Sequence, residues 1–438
     1  MQKTKWSDDA FLDHLRTEGD ETADRCLHQL AESESNYRGL FRLLRINSDP
    51  LPEDAPAPIH EFFETACRPP LISGEPIDEK RLERGSEVFR KNAGSAGLSL
   101  MLNSLLAGYG APNLAKILVI SGNLQHHPYQ RVLGVLQMVI DVSANASFEP
   151  SGDAHITAAK VRLMHAGLRT IVDRRRPDYE PVYGKPVNQE DMLGTIMGFS
   201  LLVIQGIRKL GITVTDEDAE DYYYLWRVFA QCAGIHPPGE RDSSEHIPES
   251  VELADEFYRS FARRHYVGAA ENPEGVDLTK AGIRMFEDII PFKFLHWWTH
   301  DLIGRVFMQR MQGRKAMKAR GVKPVYGKFL VRWLLLIAPR IWNLISREGD
   351  KLLLGNGRHE DMSLLLFKGM IHLAWGGKVT FLIPRNLQDL KLLAPVEAPK
   401  RKERRIQDRR RTTDAIDFPE RRGPDRRLAY RESFWAGA

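Results

Sequence analysis

Apolar residues recur at helical intervals along most of the chain, and strand-like alternation is scarce. Phe11, Leu15, Leu27, Leu30, Leu40 and Leu44 predict helix over residues 8–45, with Gly19 as a local break, and a Pro-rich joint at residues 49–58 follows. Helix resumes over 84–109, where Ser and Gly between Leu98 and Leu106 let neighbouring helices approach closely. Pro128 suits a first turn, and Val132, Val135, Val139 and Val142 share one face of the helix that it opens. After a turn at 149–152, Asp153 is placed to cap a helix running to about Val172, on which Val161, Met164, His165, Leu168 and Val172 follow one side.

Residues 173–185, with three consecutive Arg, two Pro and a Gly, read as a loop. Asn188 then caps a helix with Asp191 in its first turn, and no charge occurs from Met192 to Gly206 before Gly211 ends it. About fifteen uncharged residues are too few to span a bilayer, which needs roughly twenty, so this helix belongs at the centre of a globule. Thr215 and Asp218 open another helix through Tyr222 and Trp226 to Gly234, and a polar loop covers 236–250. Further helices are expected over 251–265, 279–313 and 328–346. The fold class is therefore all-α.

Composition narrows the classes of function. The chain has 438 residues, 42% hydrophobic and 27% charged, as soluble globular proteins do. Its net charge is +4, but residues 400–438 hold 13 Lys or Arg against 7 Asp or Glu; that is +6 there and −2 elsewhere. A nearly neutral body argues against a nucleic-acid-binding face. The three cysteines, Cys26, Cys67 and Cys232, form no CxxC pair, which favours a reducing compartment. The first twenty residues lack the apolar run of a signal peptide, so a cytoplasmic protein is expected.

Two apolar stretches late in the chain, from Phe329 to Ile345 and from Met362 to Pro384, read either as helix-packing surface or as attachment to a membrane surface or partner. The tail repeats Glu403-Arg404-Arg405, Asp408-Arg409-Arg410 as Glu420-Arg421-Arg422, Asp425-Arg426-Arg427, and reads as solvated disorder or an electrostatic tether.

The decapeptide from Lys160 to Arg169 carries the candidate chemistry. Arg162 and His165 are i, i+3 neighbours, and Arg169 lies one turn beyond. Two cations disfavour a protonated imidazole, and a neutral one can ligate haem iron, while Arg suits the carboxylates of a porphyrin. The same spacing suits a buried structural histidine. His296 and His300 form an i, i+4 pair among tryptophans, but nothing resembles HExxH, GxGxxG, GxxxxGK[ST] or GxSxG after a strand.

Four stretches in order resemble the latex-clearing-protein (rubber oxygenase) and MpaB-type oxygenase family. They are Leu15-Arg16-Thr17-Glu18-Gly19-Asp20 with Ala23-Asp24; Ser104-Leu105-Leu106-Ala107-Gly108-Tyr109; Val161-Arg162-Leu163-Met164-His165-Ala166; and Asn188-Gln189-Glu190-Asp191-Met192. The resemblance implies a globin-like helical core with haem b and O2 as co-substrate, and in the rubber oxygenases cleavage of carbon-carbon double bonds in polyisoprene. Arg162 matches the motif arginine. His165 and Ala166 stand where the rubber enzymes carry a distal lysine and a threonine. Those enzymes take a proximal histidine from the next helix, whereas residues 194–200 hold none and offer only Met197. Either His165 is the sole strong iron ligand, or Met197 completes a pair, or haem has been lost.

The expected organisation is an N-terminal helical extension over 1–58, an oxygenase-like core over 59–310, further helices over 311–395 and a basic tail over 396–438. The expected activity is a haem-dependent oxygenase acting on an apolar, isoprenoid or lipid-like substrate through His165 and Arg162, with Arg169 and Met197 at the cofactor. The alternative is a non-catalytic helical scaffold that docks on a membrane or partner.

Overall fold

A computed structural model describes residues 4–32, 50–120, 128–289 apart from 145, 151 and 241, 301–327, 329, 333–341, 343, 344 and 369. Among them every regular element is helical, and extended pairing is confined to the bridges Leu71 with Asp242 and Ile72 with Glu75. His296, His300, the stretch from Met362 to Pro384 apart from Gly369, and the basic tail lie outside the described residues. The chain divides into two units, Met1–Ala394 and Pro395–Ala438; all that follows concerns the first.

After a 3-10 turn at Lys5–Ser7 come α1 (Asp9–Leu15), α2 (Glu21–Glu32), α3 (Ala57–Ala66), α4 (Glu79–Lys91), α5 (Ala93–Gly108), α6 (Pro112–Ile120) and α7 (Pro128–Val142). Then follow α8 (Asp153–Arg175), the short α9 (Glu180–Tyr183), α10 (Gln189–Phe199), α11 (Leu201–Lys209), α12 (Asp216–Cys232), α13 (Val251–His265), α14 (Pro273–Ile289) and α15 (Leu302–Ala319).

Side-chain caps fix several of the starts that the sequence marks. Asn188 accepts from the Asp191 N–H, Ser250 from the Leu253 N–H, and Thr215 with Asp218 closes a capping box. Gly211 and Gly234 take the positive φ that ends their helices. The expected cap at Asp153 is not there: Gly152 occupies the N-cap and Asp153 is the first helical residue. The loop expected over 173–185 is shortened at both ends, since α8 runs to Arg175 and Glu180–Tyr183 forms a turn of helix.

Two breaks shape the centre. The uncharged helix expected over 188–211 is divided at Ser200, which has φ −100° and ψ −84°. The Ser200 hydroxyl donates back to the Ile196 carbonyl at 2.8 Å, and the Tyr222 hydroxyl donates to the Phe199 carbonyl at 3.0 Å, so the interrupted ladder is satisfied from the side. Phe199 is held against Trp226 by ring stacking at 5.0 Å. In α5 a π-helical turn occupies Leu100–Ser104. Beside it α11 comes very close: the carbonyl of Leu202 accepts from Ser99 and Asn103 at 3.1 and 2.9 Å, and a Cβ on Gly206 would stand 1.9 Å from the Ser99 hydroxyl.

α8 is the central element. One side packs Ile156, Ala159, Leu163 and Ala166 against Leu27 of α2 and Phe62 of α3, another puts Ala154 and Ala158 into the largest core, and its C-terminal half sets Leu168 and Val172 against Ile117 and Tyr179. Removing one such buried Leu costs about 2–5 kcal/mol. Together α10 and α11, Gln189–Lys209, are long and apolar enough to cross a bilayer, and 78% of that span is buried inside the protein.

Candidate functional site

A cavity of about 280 Å³ lies between α5, α7, α8, α10 and α13, near the lower end of the range for ligand pockets. From residue 154 to 169 of α8 every side chain is buried except Met164 and His165, and both line this cavity with Val161 and Leu168. The stripe read from helical spacing is thus the cavity wall as far as Leu168, whereas Val172 packs in the core with Ile117 and Tyr179. Gly194, Gly198 and Thr195 of α10 face it, as do Leu105, Gly108 and Tyr109 from the α5 end. Gly198 leaves open space: a Cβ there would meet only Ser104, at 3.8 Å.

Arg162 and Arg169 are placed elsewhere. Arg162 is buried and donates from Nε and Nη2 to the two oxygens of Asp20 at 2.6 and 2.9 Å, with its guanidinium 5.2 Å from the Phe62 ring centre. Arg169 donates from Nε to Asp24 at 2.7 Å and from Nη2 to the Asp20 carbonyl at 3.4 Å. Neither side chain lines the cavity, so the carboxylates they meet belong to the chain, and they fasten the start of α2 to α8. Burial alone would raise the Asp20 pKa, but the Arg162 charge and hydrogen bonds outweigh it and hold it down to about 2. Met197 is fully buried in the core and is not part of the cavity wall.

The first turn of α10 is a buried polar knot. The Gln189 amide donates to the carbonyls of Gly19 and Gly234 at 3.0 and 2.9 Å. Glu190 accepts from Arg16 at 3.4 Å and Arg264 at 3.0 Å, and lies 3.0 Å from His265. Asp191 takes the Asn113 and Asn188 side-chain amides on its two oxygens and also faces the cavity. Burial pushes its pKa up to about 7; Glu190 adds to that, while Arg16 and the two amides oppose it. In the sequence Asp191 stands as a first-turn acid within the fourth family stretch, and nothing local marks it as a cavity residue.

Tyr258 and Tyr266, also on the wall, have hydroxyls 2.9 Å apart. No local sequence signal marks them, because α13 reaches the cavity only through tertiary packing. His155 is not at the site: it is buried, with Nε2 3.0 Å from the Phe148 carbonyl, and burial lowers its pKa. Cys232, 3.6 Å from that ring, has its thiol pushed up by burial to about 12 and is no nucleophile at neutral pH. Among the described residues no group of three or more His, Cys, Asp or Glu could hold a bare metal ion.

The four stretches that carry the family resemblance therefore meet in space. The first is tied to the third by Asp20–Arg162 and Asp24–Arg169, and the second, third and fourth each supply cavity wall.

Comparison with known proteins agrees. Residues 91–332 match the model for the ER-bound oxygenase mpaB/B'/Rubber oxygenase catalytic domain. The chain is 25% identical over 299 residues to a rubber oxygenase of Streptomyces sp. (strain K30), spanning 67% of this chain and 68% of the relative. A latex clearing protein solved in its closed state has the same fold, with a TM-score of 0.60 at 20% identity over 82% of this chain and 90% of that one.

Proposed function

We propose, from the premise that this chain belongs to the mpaB/B'/rubber oxygenase catalytic-domain family, that it is a haem b-dependent oxygenase acting on an apolar, isoprenoid or lipid-like molecule. The observation that carries the reading is His165, the one imidazole on a described wall that is mostly aliphatic and aromatic. One imidazole beside a greasy cavity fits an iron porphyrin, whose macrocycle is apolar and whose metal takes a neutral histidine. Haem, when bound, would supply the activation of dioxygen.

The chain's own residues would do the rest. His165 would hold the iron. Met164, Leu168, Leu105 and Phe199 exclude water and select an apolar substrate, since Asp191 is the one carboxyl on the described wall. With its pKa near neutrality, Asp191 can hold or release a proton at the cavity edge. Arg162 and Arg169 serve by fixing α8, and hence His165, against α2.

The test is dioxygen uptake by the purified, haem-loaded protein with a panel of polyisoprenoids and unsaturated lipids, with carbonyl products identified by mass spectrometry. Uptake coupled to double-bond cleavage, and its loss in Gly198→Leu, which fills the cavity, supports the reading. Loaded protein that consumes no dioxygen with any apolar alkene overturns it.

A contact with a membrane surface is a second proposal, favoured by a separate observation. Phe329 is 80% exposed, Leu344 62%, and Trp333, Leu334 and Ile341 are each about half exposed. Liposome flotation of the full chain, weakened in Phe329→Ser/Leu344→Ser, would support it; unchanged flotation would remove it.

A further inference from the structure

The cavity wall formed by Tyr258 and Tyr266 carries a donor with nothing to donate to. Two hydroxyls hold two protons, and the 2.9 Å bond between them uses one; among the described residues no acceptor faces the other. Directly behind Tyr266 lies Arg320, whose guanidinium carbon is 5.2 Å from the ring centre. Arg320 is only 6% exposed. Its Nη1 and Nη2 donate to the carbonyls of Ala316 and Ala107 at 3.2 Å each, and its buried Nε has no partner among the described residues. No described carboxylate pairs with it.

Several other buried or half-buried arginines differ. Arg16, Arg162, Arg169 and Arg264 each face an acid. Arg227 forms no ion pair among the described residues either, but Glu249 lies within its field and the tyrosines beside it, Tyr223 and Tyr224, are not on the cavity wall. For Arg320 burial lowers the pKa, and only the charge interactions with Tyr266 and Tyr258 oppose that. A buried cation without a counter-ion is costly, and the cost is returned when an anion arrives. Gly110 makes room for this side chain, since a Cβ there would stand 3.0 Å from Nη2.

We propose that Tyr258, Tyr266 and Arg320 form the carboxylate-binding end of the cavity, in which the tyrosine hydroxyls touch the carboxylate of the bound apolar molecule and Arg320 supplies the opposing charge from behind. This rests on the reading that the cavity holds such a molecule. A cation over the ring face makes the phenol a stronger donor, and a charged acceptor makes the resulting bond a strong one. Two sources present this chemistry: a porphyrin propionate, or the head of a fatty or isoprenoid acid.

Binding to the full chain, freed of any bound pigment, separates them. Haemin is compared with its dimethyl ester, and hexadecanoic acid with its methyl ester, by fluorescence quenching and calorimetry. The free acid of one pair should bind at least about tenfold tighter than its ester, a difference of about 1.4 kcal/mol. In Tyr258→Phe/Tyr266→Phe that preference should shrink to within about twofold, with the ester's affinity unchanged. Arg320→Gln should reduce it in the same sense, and as a second variant it keeps the test alive if the double tyrosine change fails to fold. The pair that shows the preference identifies the source. Esters that bind as well as acids overturn the proposal while leaving the cavity reading intact; protein that binds none of the four compounds overturns both.

Discussion

Two carboxyls of opposite behaviour show how single residues tie this site together. The folded state holds the Asp20 pKa at about 2, below its ordinary 3.8. Its stabilisation, roughly 2 kcal/mol, is therefore complete above about pH 4 and lost as pH falls through 2. Arg162→Met strands a buried carboxylate and should cost about 3–5 kcal/mol in urea unfolding, whereas Arg162→Met with Asp20→Leu should recover much of that. Asp191 has the reverse sign. Its pKa is raised to about 7, so the folded protein holds a proton that the unfolded chain releases, and stability falls as pH rises from about 4 to 7. Asp191→Asn should abolish this slope, which unfolding midpoints at pH 5 and pH 7.5 will show. An unchanged slope would mean that the titrating group lies elsewhere.

The contrast between glycines of neighbouring elements sets the expectations for helices. On α11, Gly206→Ala would put a methyl 1.9 Å from the Ser99 hydroxyl, so it should destabilise by about 1–3 kcal/mol, with partial rescue by Ser99→Gly. On α10, Gly198 has room, so Gly198→Leu should fold as well as the parent, by thermal unfolding, while closing the cavity to ligands. Much of this architecture was legible in the chain. Asn188 and Thr215 start helices where their side chains predict, and of the stripe Val161, Met164, His165, Leu168 and Val172 all but Val172 line the cavity from one face of one helix. Local periodicity is enough for such features. It could not show the break at Ser200 or the π-turn at Leu100–Ser104, which depend on Tyr222 and on close contact with α11. Nor could it reveal that Asp20, 142 residues before Arg162, turns that arginine away from the cavity, or that Tyr258, Tyr266 and Arg320 converge.

At the scale of the whole molecule, the family assignment and the cavity lead to one account. Helices from distant parts of the chain enclose an apolar chamber, and α8 delivers a single imidazole to it. The buried ion pairs, with Gln189 and Glu190 in the first turn of α10, hold those helices in register without lining the chamber, and only Asp191 of that polar knot reaches its wall. In this division of labour the arginines flanking His165 in sequence are held in ion pairs away from the chamber, while the other titratable groups on the described wall come from three other places. The account stands on His165 as the group that binds the iron of a porphyrin. The most direct test is a spectrophotometric titration of the purified chain with haemin, side by side with His165→Ala. The account predicts a sharp Soret band saturating at about one haem per chain, displaced or lost in the variant. Identical spectra and affinity in the two proteins, or no uptake by either, would contradict it.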